Sequence, residues 1–111
     1  MLTFFKPRLT TAIPIALLLS ASAVSLQAQA NQALANKSGC LGCHAVATKL
    51  VGPAYKDVAA KYAGDKTATD KLANKIQKGG AGVWGPVPMP ANTQVNDADA
   101  KKLAAWVLTL K

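Results

Sequence analysis

With 111 residues the chain has room for one domain at most, and its first thirty do not read as part of it. Thirteen Lys and Arg oppose five Asp and Glu, a formal net charge of +8, yet aromatic residues make up only 5% of the chain and the lysines are spread out as Lys56, Lys61, Lys66, Lys71, Lys75 and Lys78. A nucleic-acid surface wants a dense basic stripe with aromatics to stack on bases, so the composition argues against one and leaves a solvated surface or an acidic protein partner.

The N-terminus has the layout of an export signal. Lys6 and Arg8 supply a positive start, Ala12 to Leu26 an apolar stretch interrupted by Pro14 and serines, and Ala28-Gln29-Ala30 a small-x-small cleavage site. Residues 1–30 are therefore expected to be a cleaved secretory signal peptide and residues 31–111 the mature domain, with cleavage after Ala28 as the alternative. The apolar run falls short of the roughly 20 residues that span a bilayer, so the mature protein is expected to have no membrane span. Cleavage leaves 81 residues carrying eleven lysines against five aspartates, with no Arg and no Glu. At that size an ordinary apolar core is marginal, and a buried cofactor is one way to supplement it.

Nothing in the mature chain reads as a strand; the pattern is all-α, helices joined by Gly/Pro loops. Ala33, Leu34 and Lys37 mark a short first helix stopped by Gly39. After a loop closed by Gly52-Pro53, Tyr55, Val58, Ala59 and Tyr62 recur at three- and four-residue spacing and predict a helix over Ala54 to Ala63, ending at Gly64. Thr67 to Asp70 resembles a capping box opening the next helix, with Leu72, Ala73 and Ile76 inward and Gly79-Gly80 as its stop. Residues 79–95 hold four glycines and three prolines and are expected to be a long loop, of the kind that is usually functional. Asn96 then caps a final helix with Asp97 and Asp99 in its first turn, and the stripe Leu103, Trp106, Val107 and Leu110 is expected to pack on the first helix.

Cys40-Leu41-Gly42-Cys43-His44 is the most informative stretch, a C-x-x-C-H of the kind that attaches haem c. Thiols three residues apart reach the two vinyl groups on one edge of a porphyrin, and the following imidazole comes under the iron. A redox-active C-x-x-C needs no following His and usually sits beside a strand-helix scaffold. A structural zinc wants four Cys or His ligands, and this chain offers two Cys and one His. A plain disulfide between the cysteines suits an exported protein but leaves the only His and the Gly/Pro-rich loop unexplained. The one Met of the mature chain, Met89, lies in Pro86-Val87-Pro88-Met89-Pro90, where fixed proline φ angles make a stiff, extended strap. A lone Met is ordinarily a core gap-filler; here the strap and the need for a sixth ligand make its thioether the candidate. His/Met ligation fills both axial positions and leaves no open site for oxygen or peroxide.

These residues carry a family resemblance. Gly39-Cys40, Cys43-His44, the run Val51-Gly52-Pro53-Ala54-Tyr55-Lys56-Asp57-Val58-Ala59-Ala60-Lys61, Gly82-Val83-Trp84-Gly85-Pro86, Pro88-Met89-Pro90, Asn92 and Trp106-Val107-Leu108 resemble a class I cytochrome c, specifically the short bacterial cytochrome c-551 type. The resemblance spans residues 34–111. It implies about four helices wrapped round one covalent haem c, with Cys40 and Cys43 as thioether attachments and His44 and Met89 as axial ligands. It further implies that the Pro53 carbonyl receives the His44 Nδ1 proton, that Asn92 donates its amide toward the Met89 sulfur, and that Trp84 donates its indole N–H toward a propionate. Lys75 stands where relatives often have an Arg; an ammonium lacks the planar bidentate fork, which leaves that contact open.

The function implied is that of a periplasmic, monomeric single-electron carrier, not an enzyme, passing electrons from a donor complex to a terminal reductase such as nitrite reductase, or to an oxidase or peroxidase. The rival readings are a haem peroxidase or nitric-oxide-binding protein, and a subunit of a larger dehydrogenase complex. Docking is expected where Leu41, Gly42, Leu50, Val51, Pro86, Val87, Pro90 and Ala91 surround the haem edge, with Lys37 and Lys49 as a charged rim that steers an acidic partner.

Overall fold

The computed structural model describes the backbone of residues 16–111 and the side chains of residues 26–111. Lys6, Arg8 and the start of the apolar stretch lie outside the described residues. The first helix, α1 (Ala16–Lys37), is far longer than the short helix expected near residue 33. Residues 26–30 are all exposed, Leu26 among them, and the first buried side chain is Ala35. Among the described side chains of α1, those of its last turns are the ones that reach the core. The end of α1 is closed by Ser38 N–H to Leu34 O (2.9 Å) and Gly39 N–H to Asn36 O (3.1 Å), and Cys40–Gly42 follow directly as a 3₁₀ turn.

Helix α2 (Tyr55–Lys61) is slightly shorter at each end than its periodicity suggested, and buries Tyr55, Val58 and Ala59. Helix α3 (Ala68–Lys78) carries its apolar face inward with Ala68 and Ala73 buried and Leu72 and Ile76 packed against the core. Its start corrects the expected capping box: Thr67 makes no side-chain cap bond. Asp65 engages Thr67 itself, accepting its N–H (2.8 Å) and hydroxyl (2.7 Å) on one oxygen and the Lys71 ammonium (2.8 Å) on the other. In a capping box the Asp70 carboxylate would accept that Thr67 N–H; Asp65, two residues upstream, reaches it through a tighter local ring.

The expected loop after α3 contains a short antiparallel hairpin, β1 (Gly80–Gly82) and β2 (Gly85–Met89), with Gly80 opposite Met89 and Gly82 opposite Gly85. Glycine and proline counts hid it. Pro86 and Pro88 alternate with Gly85, Val87 and Met89, so the residues that retain an N–H recur with the period of two that a ladder uses, on an edge strand where proline is tolerated. Two short strands leave the fold class all-α, with four helices.

Helix α4 (Asp97–Leu108) begins as expected, the Asn96 side chain accepting the Asp99 N–H at 2.8 Å. Leu103, Trp106 and Val107 of its stripe are buried. Its broadest packing is on α3, with α2 and α1 contributing less. The expected contact with α1 is made, but α1 brings Leu34 and Ala35 to it, whereas α3 offers a three-turn apolar face.

Asp65 sets a pH dependence. Its hydrogen bonds to the Lys71 ammonium and then to Thr67 hold its carboxyl at about 2, below the ordinary 3.8. Because the folded value is the lower one, this stabilisation is complete above about pH 4 and disappears as the pH falls through about 2. Asp65→Asn should lower the thermal unfolding temperature at pH 6, and the gap from the unsubstituted protein should close progressively below pH 4. A gap independent of pH across that window would contradict the assignment.

Candidate haem-binding site

The 3₁₀ turn and the loop after it are stitched so that His44 has little freedom. Cys40 O accepts from both Cys43 N–H (3.2 Å) and His44 N–H (3.0 Å), and Cys43 O accepts from Gly52 N–H (2.8 Å). Two further bonds, Tyr55 N–H to Ala45 O and Lys56 N–H to Val46 O (3.0 Å each), tie the loop to the start of α2. Within this frame His44 Nδ1 lies 2.8 Å from Pro53 O. A carbonyl only accepts, so Nδ1 carries the proton and donates, and Nε2 keeps its lone pair.

Gly52 is required by the same packing. A Cβ on Gly52 would lie 2.8 Å from His44 Nδ1 and 2.9 Å from Nε2, with Cε1 in contact as well. The imidazole also stacks on Tyr55, ring centroids 5.0 Å apart and planes 16° from parallel, and Tyr55 meets Trp106 edge-on at 5.6 Å. Burial, followed by the nearby Cys40, pushes the Tyr55 phenol above its ordinary range, and burial likewise raises the Cys40 thiol.

Met89 is placed from the other side. Its strap closes the hairpin opposite Gly80, and Gly79, with φ +68°, packs so close to the strap that a Cβ there would contact Met89 O and sit 2.8 Å from Ala91 N. Asn92 then fastens the strap to the end of α3: its backbone N–H (3.1 Å) and its Nδ2 (2.9 Å) both donate to Ile76 O. The Nδ2 amide carries a second hydrogen, so this bond leaves the expected contact to the Met89 sulfur open. The last carbonyls of a helix lack intrahelical partners, and Ile76 O draws the amide.

Cys40, Cys43, His44, Pro53, Trp84 and Met89 all line one cleft of about 690 Å³; Asn92 stands outside it. The volume falls in the range of about 300–1,000 Å³ usual for cofactor sites. The cleft wall is otherwise largely apolar, including Val58, Leu72, Ile76, Leu103, Trp106 and Val107. Two free thiols, an imidazole with its outer nitrogen engaged, and a thioether facing the same apolar space fit a covalently held haem. Among the described residues no group of three or more His, Cys, Asp or Glu is placed to hold a metal ion.

At the mouth, Trp84 is 44% exposed and the Lys61 ammonium lies 5.2 Å from its ring centroid, a cation–π contact the sequence did not signal. Lys75 is half-buried and lines the cleft beneath Gly80. Of the residues expected to surround the haem edge, Leu50, Val51, Pro86, Val87 and Pro90 line the cleft together with Lys49. Leu41, Gly42, Ala91 and Lys37 do not, because the 3₁₀ turn and the strap carry them away from it.

A family model described as cytochrome c matches residues 28–111. Cytochrome c-552 of Nitrosomonas europaea is 58% identical over 92 residues, covering 83% of this chain and 89% of the relative. Cytochrome c-551 of Pseudomonas aeruginosa is 55% identical over 80 residues, covering 72% and 76% respectively. The crystal structure of the wild-type Nitrosomonas europaea cytochrome c552 superposes with a TM-score of 0.71 at 59% identity, covering 72% of this chain and 99% of that one.

Gly52→Ala tests the packing at His44. The added methyl overlaps the imidazole, so the ring must turn and the Nδ1–Pro53 bond must lengthen, at a cost of about 1–3 kcal/mol for overpacking. Chemical denaturation should register that loss, with the Nδ1 proton exchanging faster in NMR spectra. Unchanged stability and exchange would show that the ring is not confined there.

Proposed function

This chain belongs to the cytochrome c family, whose members carry covalently attached haem c; from that premise we propose that it is a periplasmic single-electron carrier with His44 and Met89 as the axial ligands of one haem. The observation that carries the reading is the convergence of Cys40, Cys43 and His44 on one cleft with Met89 arriving on a separate strap. When bound, the haem supplies a one-electron Fe(II)/Fe(III) couple.

The chain's own residues divide the work. Cys40 and Cys43 hold the group as thioethers, and the Pro53 carbonyl fixes the His44 tautomer and makes Nε2 a stronger donor. Met89, on a strap held by Gly79 and by Asn92 on Ile76 O, would supply the second protein ligand to the iron. With both ligands supplied by the protein, no site would be left for a substrate, which favours a carrier over a peroxidase or a nitric-oxide binder. The apolar wall would keep water from the ring, and Trp84 lines the same cleft at its exposed side. Leu50, Val51 and Val87, all exposed at the mouth, form the face for redox partners: a donor complex on one side and a terminal reductase, oxidase or peroxidase on the other. Lys49 beside them favours an acidic partner by steering.

Export is supported by the exposure of Ala28-Gln29-Ala30 on the part of α1 that stands off the domain, where a peptidase reaches it. No described helix is long and apolar enough to cross a membrane. We place the mature domain at residues 31–111.

Met89→Ala should retain covalent haem through a denaturing gel, because the thioethers are untouched, while its reduction potential falls and azide or cyanide binds where the unsubstituted protein excludes them. An unchanged potential with no ligand binding would assign the sixth position to another residue.

A further inference from the structure

The residue this geometry adds to the site is Tyr55, which the sequence presents only as the first apolar position of α2. It is 8% exposed, stacks on His44 and is itself braced edge-on by Trp106 of α4. Helix α4 thus holds the Tyr55 ring against the imidazole that ends the attachment motif.

We propose that Tyr55 is a positioning residue for the axial imidazole: its ring fixes the plane of His44 so that Nδ1 stays directed at the Pro53 carbonyl. The inference rests on His44 being the iron ligand, as proposed above. The Pro53 bond constrains one atom of the imidazole and leaves rotation about the Nδ1–carbonyl line open. Gly52, by lacking a Cβ, makes room for the ring and does not hold it. The near-parallel plane of Tyr55 supplies the missing constraint, and offset aromatic pairs of this kind are favourable beyond simple burial. If the imidazole turns, its Nδ1 hydrogen bond weakens, Nε2 becomes a poorer donor, and the ferric state, which depends more on that donation, loses ground. The reduction potential then rises.

The test uses the holoprotein with Tyr55→Phe, which keeps the plate, Tyr55→Leu, which keeps apolar bulk without it, and Val95→Ala as a core truncation remote from His44. Tyr55→Leu should raise the midpoint potential and move the hyperfine-shifted ring protons of His44 in ferric NMR spectra. Tyr55→Phe should do neither, and Val95→Ala should lower stability while leaving both readouts in place. If Tyr55→Leu fails to accumulate as holoprotein, Tyr55→Met, flexible and unable to stack as a plate, is read in the same way. Unmoved His44 resonances and potential in the Leu or Met variant, or equal changes in Tyr55→Phe or Val95→Ala, overturn the positioning role alone. Absence of hyperfine shifts at His44 in the unsubstituted protein instead removes the ligand assignment and this inference with it.

Discussion

The side chains that make up the core of this domain are also the walls of its cleft. Tyr55, Val58, Leu103, Ala104, Trp106 and Val107 are buried, and each faces the same space of about 690 Å³. Alanines 35, 54, 59, 68, 73, 100 and 104 account for seven of the thirteen buried apolar residues, so little bulk is available elsewhere to make a second core. Small apolar residues let α3 and α4 approach closely, but they bury little area, and burial is what offsets the entropy of ordering a chain this short. The apolar faces of α2, α3 and α4 reach their full burial against a cofactor. Fold and cofactor are on this view one energetic problem.

That constraint explains why His44 and Met89 lie outside the helices. A helix places its side chains on a fixed 3.6-residue pitch, whereas the two sides of a flat ring must be approached from separate directions. Here the loop after the cysteines and the strap after α3 bring His44 and Met89 to one cleft, and each is fixed by a backbone device. On one side the Cys43–Gly52 bond and the Pro53 carbonyl set the imidazole. On the other, Gly79 permits close approach of the strap and Asn92 fastens it to the free end of α3. Both glycines are sites where a single methyl would meet an atom already in place.

Much of this was legible in the sequence, for identifiable reasons. The helices followed from three- and four-residue spacing, and Asn96 acted as the cap its position suggested. The cysteine motif and the lone Met of the mature chain pointed to the same cleft because few other residues have the chemistry for a covalent, axially ligated iron. What was hidden depended on choices between near-equal local partners. Asp65 took the Thr67 N–H and hydroxyl that a capping box would have used with Asp70, and the Asn92 amide went to Ile76 O because a helix end supplies an acceptor that the sequence does not display. The hairpin was obscured by a composition that usually breaks strands. Tyr55 read as a core residue, which it is; that its ring also stacks on the imidazole of His44, eleven residues earlier in the chain, is a property of the folded loop alone.

The central claim is that an iron sits between His44 and Met89 in this cleft. The most direct measurement is the absorption spectrum of the oxidised holoprotein at neutral pH, where sulfur-to-iron charge transfer gives a weak long-wavelength band. The account predicts that band in the unsubstituted protein, together with a low-spin Soret region. A ferric spectrum without it, showing instead a high-spin, water-ligated iron, would contradict the claim.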